Sequence, residues 1–70
     1  MFVYNKLRGR IIEKYGTMSS FANAIGITDV ALSRKFNNKA GISRDEIIKW
    51  ADLLDISQDE YGAYFFAREV

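Results

Sequence analysis

Apolar residues recur along this chain at helical intervals. Leu7, Ile11 and Tyr15 come at every fourth position, the spacing of a stripe along one side of a helix. Ile47, Trp50, Ala51 and Leu54 fall at i, i+3, i+4 and i+7, which predicts another amphipathic helix. Between them, Phe21, Ala22 and Ile25 mark a short helix, and Leu32 and Phe36 a further one. A repeated local pattern sets the boundaries. Three times an isoleucine precedes Thr or Ser, and an apolar residue follows that hydroxyl residue by four. The instances are Ile27-Thr28…Leu32, Ile42-Ser43…Ile47 and Ile56-Ser57…Tyr61. This is a hydrophobic staple around an N-cap, and Glu46 and Glu60 stand where they complete capping boxes. Gly16 and Gly26 end the first two helices, and Thr17 caps the second. No proline occurs, so glycines and caps do all the punctuation.

The pattern predicts an all-α fold, a compact bundle of helices over residues 5–15, 18–25, 29–37, 44–54 and 58–63. The connections are short, as a compact bundle requires. The two ends leave two readings open. Phe2-Val3-Tyr4 and Tyr64-Phe65-Phe66 are aromatic and β-branched runs. They either form short strands that pair with each other or pad the core as irregular chain or a helix extension.

Seventy residues allow one domain, here taken as 1–70. A chain of this length buries only ~60% of its unfolded surface, so its core must be dense. At 49% hydrophobic and 14% aromatic, the composition can supply one. The absence of cysteine excludes disulfides and thiolate metal sites. The absence of histidine removes the usual zinc ligand and the usual general base. No cofactor is expected, and an enzyme ranks last. No apolar run is long enough to span a bilayer. Residues 1–6 lack the pattern of a secretory signal, so the expected setting is cytoplasmic, in a bacterial host cell.

The net charge of +1 conceals a split. Residues 1–44 carry eight cations against Glu13 and Asp29, whereas residues 45–70 carry Lys49 and Arg68 against seven carboxylates. A basic front and an acidic back suit a protein that presents one side to a polyanion.

Residues 17–38 sharpen that expectation. Ala22 lies four positions before Gly26, and Leu32 six after it. In a helix-turn-helix the alanine lets two helices cross closely, and the glycine takes the left-handed turn between them. Leu32 and Phe36 then anchor the second of those helices. Its other face carries Val30, Ser33, Arg34 and Asn37 at i, i+3, i+4 and i+7. Arg can hold guanine O6/N7, Asn adenine N6/N7, Ser either, and Val a thymine methyl. Asp29, at the head of this helix, either caps it or accepts from a cytosine amine. A backbone-contacting shell is also available. Free N–H groups at Thr17, Met18 and Ser19 open the second helix. Asn38 and Lys39 follow the third, Arg44 begins the fourth, and Lys6, Arg10 and Lys14 make a basic stripe on the first.

The stretch Gly16-Thr-Met-Ser-Ser-Phe-Ala-Asn-Ala-Ile-Gly-Ile-Thr-Asp-Val-Ala-Leu-Ser-Arg-Lys-Phe-Asn-Asn-Lys39 resembles the helix-turn-helix of the Cro/C1-type, lambda-repressor-like regulators of temperate bacteriophages. Ile47-x-x-Trp50-Ala51-x-x-Leu54-x-Ile56-Ser57 is similar to that family's fourth helix and following turn. The ends resemble short Cro-like phage proteins of Gram-positive hosts. The resemblance covers nearly the whole chain. It implies a repressor that binds a double-stranded DNA operator in a lysis–lysogeny switch, usually as a homodimer on a near-palindromic site. The family often has Gln at the first residue of its second helix, where it contacts phosphate and braces the reading helix; Met18 stands there. A second function class stays open. The acidic back and the aromatic tail, Tyr61, Tyr64, Phe65 and Phe66, also suit an antirepressor that pairs with a phage repressor and binds DNA weakly. Neither reading needs a small-molecule substrate or a membrane.

Overall fold

The computed structural model describes residues 1–68. Glu69, counted above in the acidic half, and Val70 lie outside the described residues. The elements are α1 (Asn5–Tyr15), α2 (Met18–Ile25), α3 (Asp29–Phe36), α4 (Arg44–Leu53) and α5 (Tyr61–Phe65), the last entered through a single 3-10 turn, Gln58–Glu60. The described residues contain no strand or sheet, and none of their helices is long and apolar enough to cross a membrane.

Local chemistry accounts for the starts. The Thr17 hydroxyl accepts from Ser20 N–H at 3.0 Å, and Thr28 from Ala31 N–H at 3.1 Å. Ser43 and Glu46 form a reciprocal capping box, at 3.2 Å and 2.9 Å. At the fifth element, Glu60 accepts from both the N–H and the hydroxyl of Ser57. The Glu60 N–H reaches back only three residues to the Ser57 carbonyl (2.9 Å), which winds this stretch as a 3-10 turn.

The ends of the helices differ from the prediction. α3 stops at Phe36 and α4 at Leu53, each one residue early, with Asn37 and Leu54 as C-caps. The next residues, Asn38 and Asp55, take the left-handed backbone at φ 59° and 54°. Asn and Asp tolerate this region better than other residues with a side chain, so they do the work of glycine here. The fifth helix extends to Phe65 rather than 63. Tyr64-Phe65 is therefore helical, and the strand reading of the C-terminal run is overturned. Helix places Tyr64 and Phe65 in the core, where they are 4% and 2% exposed. The ends still meet. Val3 N–H donates to the Ala67 carbonyl at 2.8 Å, and Phe2 and Arg68 form one isolated antiparallel bridge.

The core runs through every element. Leu7 and Ile11 of α1, Phe21 and Ala22 of α2, and Leu54, the C-cap of α4, are fully buried. Phe21 meets Trp50 edge-on at 5.5 Å and Tyr15 at 5.1 Å. Ala22 carries the α2–α3 crossing. Its carbonyl accepts from Ile27 N–H at 3.0 Å, across a Gly26 whose φ is 79°.

Polar ties made by the side chains of Arg10, Lys35 and Asn38 hold the elements together. The Arg10 guanidinium donates to the Leu54 carbonyl (2.7 Å) and to the Tyr64 hydroxyl (2.9 Å), satisfying an orphan carbonyl at the end of α4. The Lys35 ammonium contacts Glu46 (3.1 Å) and the Gly41 carbonyl (3.0 Å), joining α3 to the start of α4. The Asn38 amide pairs with the backbone of Phe2, accepting from its N–H at 3.0 Å and donating to its carbonyl at 2.9 Å.

Two predictions follow from these ties. Asn38→Gly keeps the left-handed turn but loses two hydrogen bonds, so the urea midpoint should drop by the equivalent of about 1–3 kcal/mol. Asn38→Ala should lose about 1–2 kcal/mol more, because a Cβ is strained there. A glycine variant as stable as the native protein would show that the clamp contributes nothing. The second prediction concerns acid. Burial pushes the Glu46 carboxyl up, but the Ser43 N–H and the Lys35 ammonium outweigh it and hold the group below its ordinary value of 4.5. A depressed folded-state value means stability that is present above pH 4.5 and is lost as pH falls through the lower folded value. Glu46→Gln should be less stable at neutral pH and should flatten that acid limb. An equally steep limb in the variant would exclude Glu46 as its source.

Candidate nucleic-acid interface

α3 buries only Leu32 and Phe36, at 2% and 6% exposure. Its opposite side is open. Asp29, Val30, Ser33, Arg34 and Asn37 line one shallow surface of about 410 Å³, and Lys39 joins them. The five residues predicted to face bases are thus brought together. Val30 is 69% exposed, so its methyl groups are open on this face. Asn37 Nδ2 donates to the Ser33 hydroxyl at 3.2 Å, one helical turn back, so the amide and hydroxyl are presented as a pair. Among the described residues, no ion pair holds Arg34, Lys39 or Arg44. Lys39 owes its place to a tight turn: the N–H groups of Lys39 and Ala40 both return to the Arg34 carbonyl, at 2.8 Å and 3.3 Å.

Asp29 has a partner. Ser19 of α2 donates its hydroxyl within reach of both Asp29 oxygens, at 3.0 Å and 2.9 Å. A carboxylate in the first turn of α3 also suits that helix's dipole. The bond crosses from α2 to α3 and braces α3 beside Met18.

The predicted phosphate shell divides. Thr17 uses its hydroxyl within α2, accepting from Ser20 N–H and donating to Ser20 Oγ at 2.9 Å. The Met18 side chain is half-buried and packs against the core, so only its backbone is available. Ser19 is engaged by Asp29, and the Asn38 amide is engaged by Phe2. Arg10 is turned inward, as described. Lys6 lies over the Tyr64 ring at 4.9 Å, and Lys14 pairs with Asp55. The basic stripe of α1 therefore faces Tyr64 and Asp55. Arg44 borders a different groove, with Ile48, Gln58, Tyr61 and Phe66. Of this shell, Lys39 lines the open α3 surface itself, and Met18 and Ser19 line an adjoining cleft with Asp29 and Ser33.

Two residues near that face escaped the sequence reading. Arg8 lies over the Phe36 ring at 5.2 Å and lines a cleft with Met18, Ser19, Asp29 and Ser33. Exposed Asn23 lines a shallow groove with Ser19, Ser20, Ile27 and Asp29. Asn23 sits one residue after the crossing alanine, so its placement was readable from the helix-turn-helix spacing. Arg8 had no such signal, since it stands outside the stripe at positions 6, 10 and 14.

A search of curated proteins finds no match to this chain. A match over residues 1–68 shows that the chain belongs to the family described as "Protein of unknown function (DUF739)".

Proposed function

We propose that this protein is a sequence-specific, double-stranded-DNA-binding regulator of transcription, with α3 reading the major groove. The observation that carries the reading is the single open surface shared by Asp29, Val30, Ser33, Arg34, Asn37 and Lys39. An α-helix with its side chains is ~10–12 Å across, which fits a major groove ~12 Å wide. The donors and acceptors on it fit base edges, and one good bidentate pair supplies about 1–3 kcal/mol of discrimination. The brace from Ser19 to Asp29 and the close crossing at Ala22 fix how far α3 stands out from α2.

Two copies on a near-palindromic operator would set their reading helices ~34 Å apart. The domain's longest Cα extent, 29 Å, is of the same order as that spacing. The role in a phage lysis–lysogeny switch rests on the resemblance of residues 16–39 and 47–57. A second reading has its own observation. Ile48 and Phe66, each 51% exposed, border a groove with Tyr61. That groove favours a protein partner, as an antirepressor acting on a phage repressor would need.

Selection of preferred sites from random duplexes, followed by titration of the winner, tests the first reading. Arg34→Ala should lower affinity for the selected site by about 1–3 kcal/mol and bring it toward that for random duplex. An unchanged site preference in that variant would remove Arg34 from the reading face. The native protein's affinity should also fall steeply and linearly on a log–log plot against salt. No measurable binding at low salt would overturn the DNA reading and leave the protein-partner one.

A further inference from the structure

We propose that Arg8 is the α1 residue that holds a phosphodiester of the DNA backbone, in the cleft where α1, α2 and α3 meet. This inference rests on the DNA-binding reading of α3.

The cations of α1 are not equivalent. Lys6 and Arg10 share the Tyr64 ring, at 4.9 Å and 5.4 Å, and Lys14 pairs with Asp55. Arg8 is on the other flank, with its guanidinium carbon 5.2 Å from the Phe36 ring centre. Phe36 belongs to α3, so Arg8 is the α1 cation packed against the reading helix itself.

The cleft has a volume of about 320 Å³. Arg8 forms one wall, Met18 and Ser19 a second, and Asp29 and Ser33 a third. Asp29 and Ser33 also line the open α3 surface, so the cleft is continuous with the proposed base-reading face. A phosphate flanking the base pairs that α3 contacts would lie at this edge.

Arg8 is suited to receive it. It is exposed, and among the described residues it makes no ion pair and no side-chain hydrogen bond. The cation–π contact with Phe36 keeps the guanidinium beside the cleft while leaving its N–H edges open. A planar fork held in place matches two phosphate oxygens and loses little side-chain freedom on binding. The cleft also contains an opposing charge, the Asp29 carboxylate. Ser19 donates to both its oxygens, and Arg8 is the cation in the same cleft that offsets it. Without Arg8 the cleft would repel a phosphate.

The test uses Arg8→Gln, which removes the charge and leaves a shorter polar side chain on the exposed face of α1, together with Arg8→Lys and Arg34→Ala. Fluorescence anisotropy would follow binding of each folded variant to the selected duplex and to a random one across a salt series. Arg8→Gln should weaken binding to both duplexes by the same factor, on the order of tenfold, and make the salt slope shallower by about 0.9. Arg8→Lys should retain the native slope. Arg34→Ala should instead reduce the difference between the two duplexes. An Arg8→Gln protein with native affinity and slope would overturn the proposal while leaving the α3 reading intact. A change in which bases are preferred would also overturn it, since a phosphate contact carries no sequence information. Absence of native binding to either duplex at low salt would overturn both.

Discussion

An eight-residue helix does not persist in water on its own, because isolated helices shorter than ~12–15 residues are marginal. That constraint governs α3 and, through it, most of the molecule. The outer face of α3 is unpacked, so the helix is held from one side and at its two ends. Leu32 and Phe36 supply the side, and burying each contributes about 1.5–3 kcal/mol. Thr28 closes the N-terminus, with Ser19 and Asp29 beside it. At the other end, Lys35 reaches Glu46 and Gly41, and the turn after Phe36 folds back onto the Arg34 carbonyl. Asn38 then fastens that turn to the first residues of the chain. The bridge between Phe2 and Arg68 extends the same fastening to the C-terminus.

The price of this arrangement is that many polar side chains become structural. Arg10 completes the end of α4, and Lys35 joins α3 to α4. A small domain has few apolar contacts to spare, so it draws on charged groups to satisfy helix ends. The excess of cations in residues 1–44 therefore overstates the free positive charge. Part of it neutralises the acidic half from within the fold, as Lys14 does with Asp55. What remains open beside α3 is Arg8, Arg34 and Lys39.

Short-range rules were legible in the sequence. The caps at Thr17, Thr28 and Ser43 depend on residues three positions away, and each forms. The stripe Ile47, Trp50, Ala51 and Leu54 is buried throughout. The outer face of α3 follows from the same period, once Leu32 and Phe36 define the inner one. The losses come from contacts distant in sequence. The partners of Asn38 and Arg10 are 36 and 44 residues away, and nothing near those residues announces them. Both looked like surface groups available to phosphate. The terminal runs were ambiguous for a related reason. Aromatic residues suit strands and cores alike, and only the packing of Tyr64 and Phe65 against the other helices decides for helix.

Asp29 shows how holding and reading constrain each other. On the DNA-binding reading, a carboxylate at the head of α3 opposes phosphate, and its presence there needs a physical reason. It contributes to α3 by facing the positive end of the helix dipole, about 0.3–1 kcal/mol for an exposed group. It also ties α3 to α2 through Ser19, at a point where Met18 offers no polar side chain for the purpose. The same carboxylate can still accept from a cytosine amine, because a hydroxyl donor occupies only part of its accepting capacity. Its unfavourable effect is local, and the cation that offsets it comes from α1. Asp29 and Arg8 thus line one cleft, the first holding and orienting the helix, the second, on the phosphate proposal, restoring the charge that the first removes.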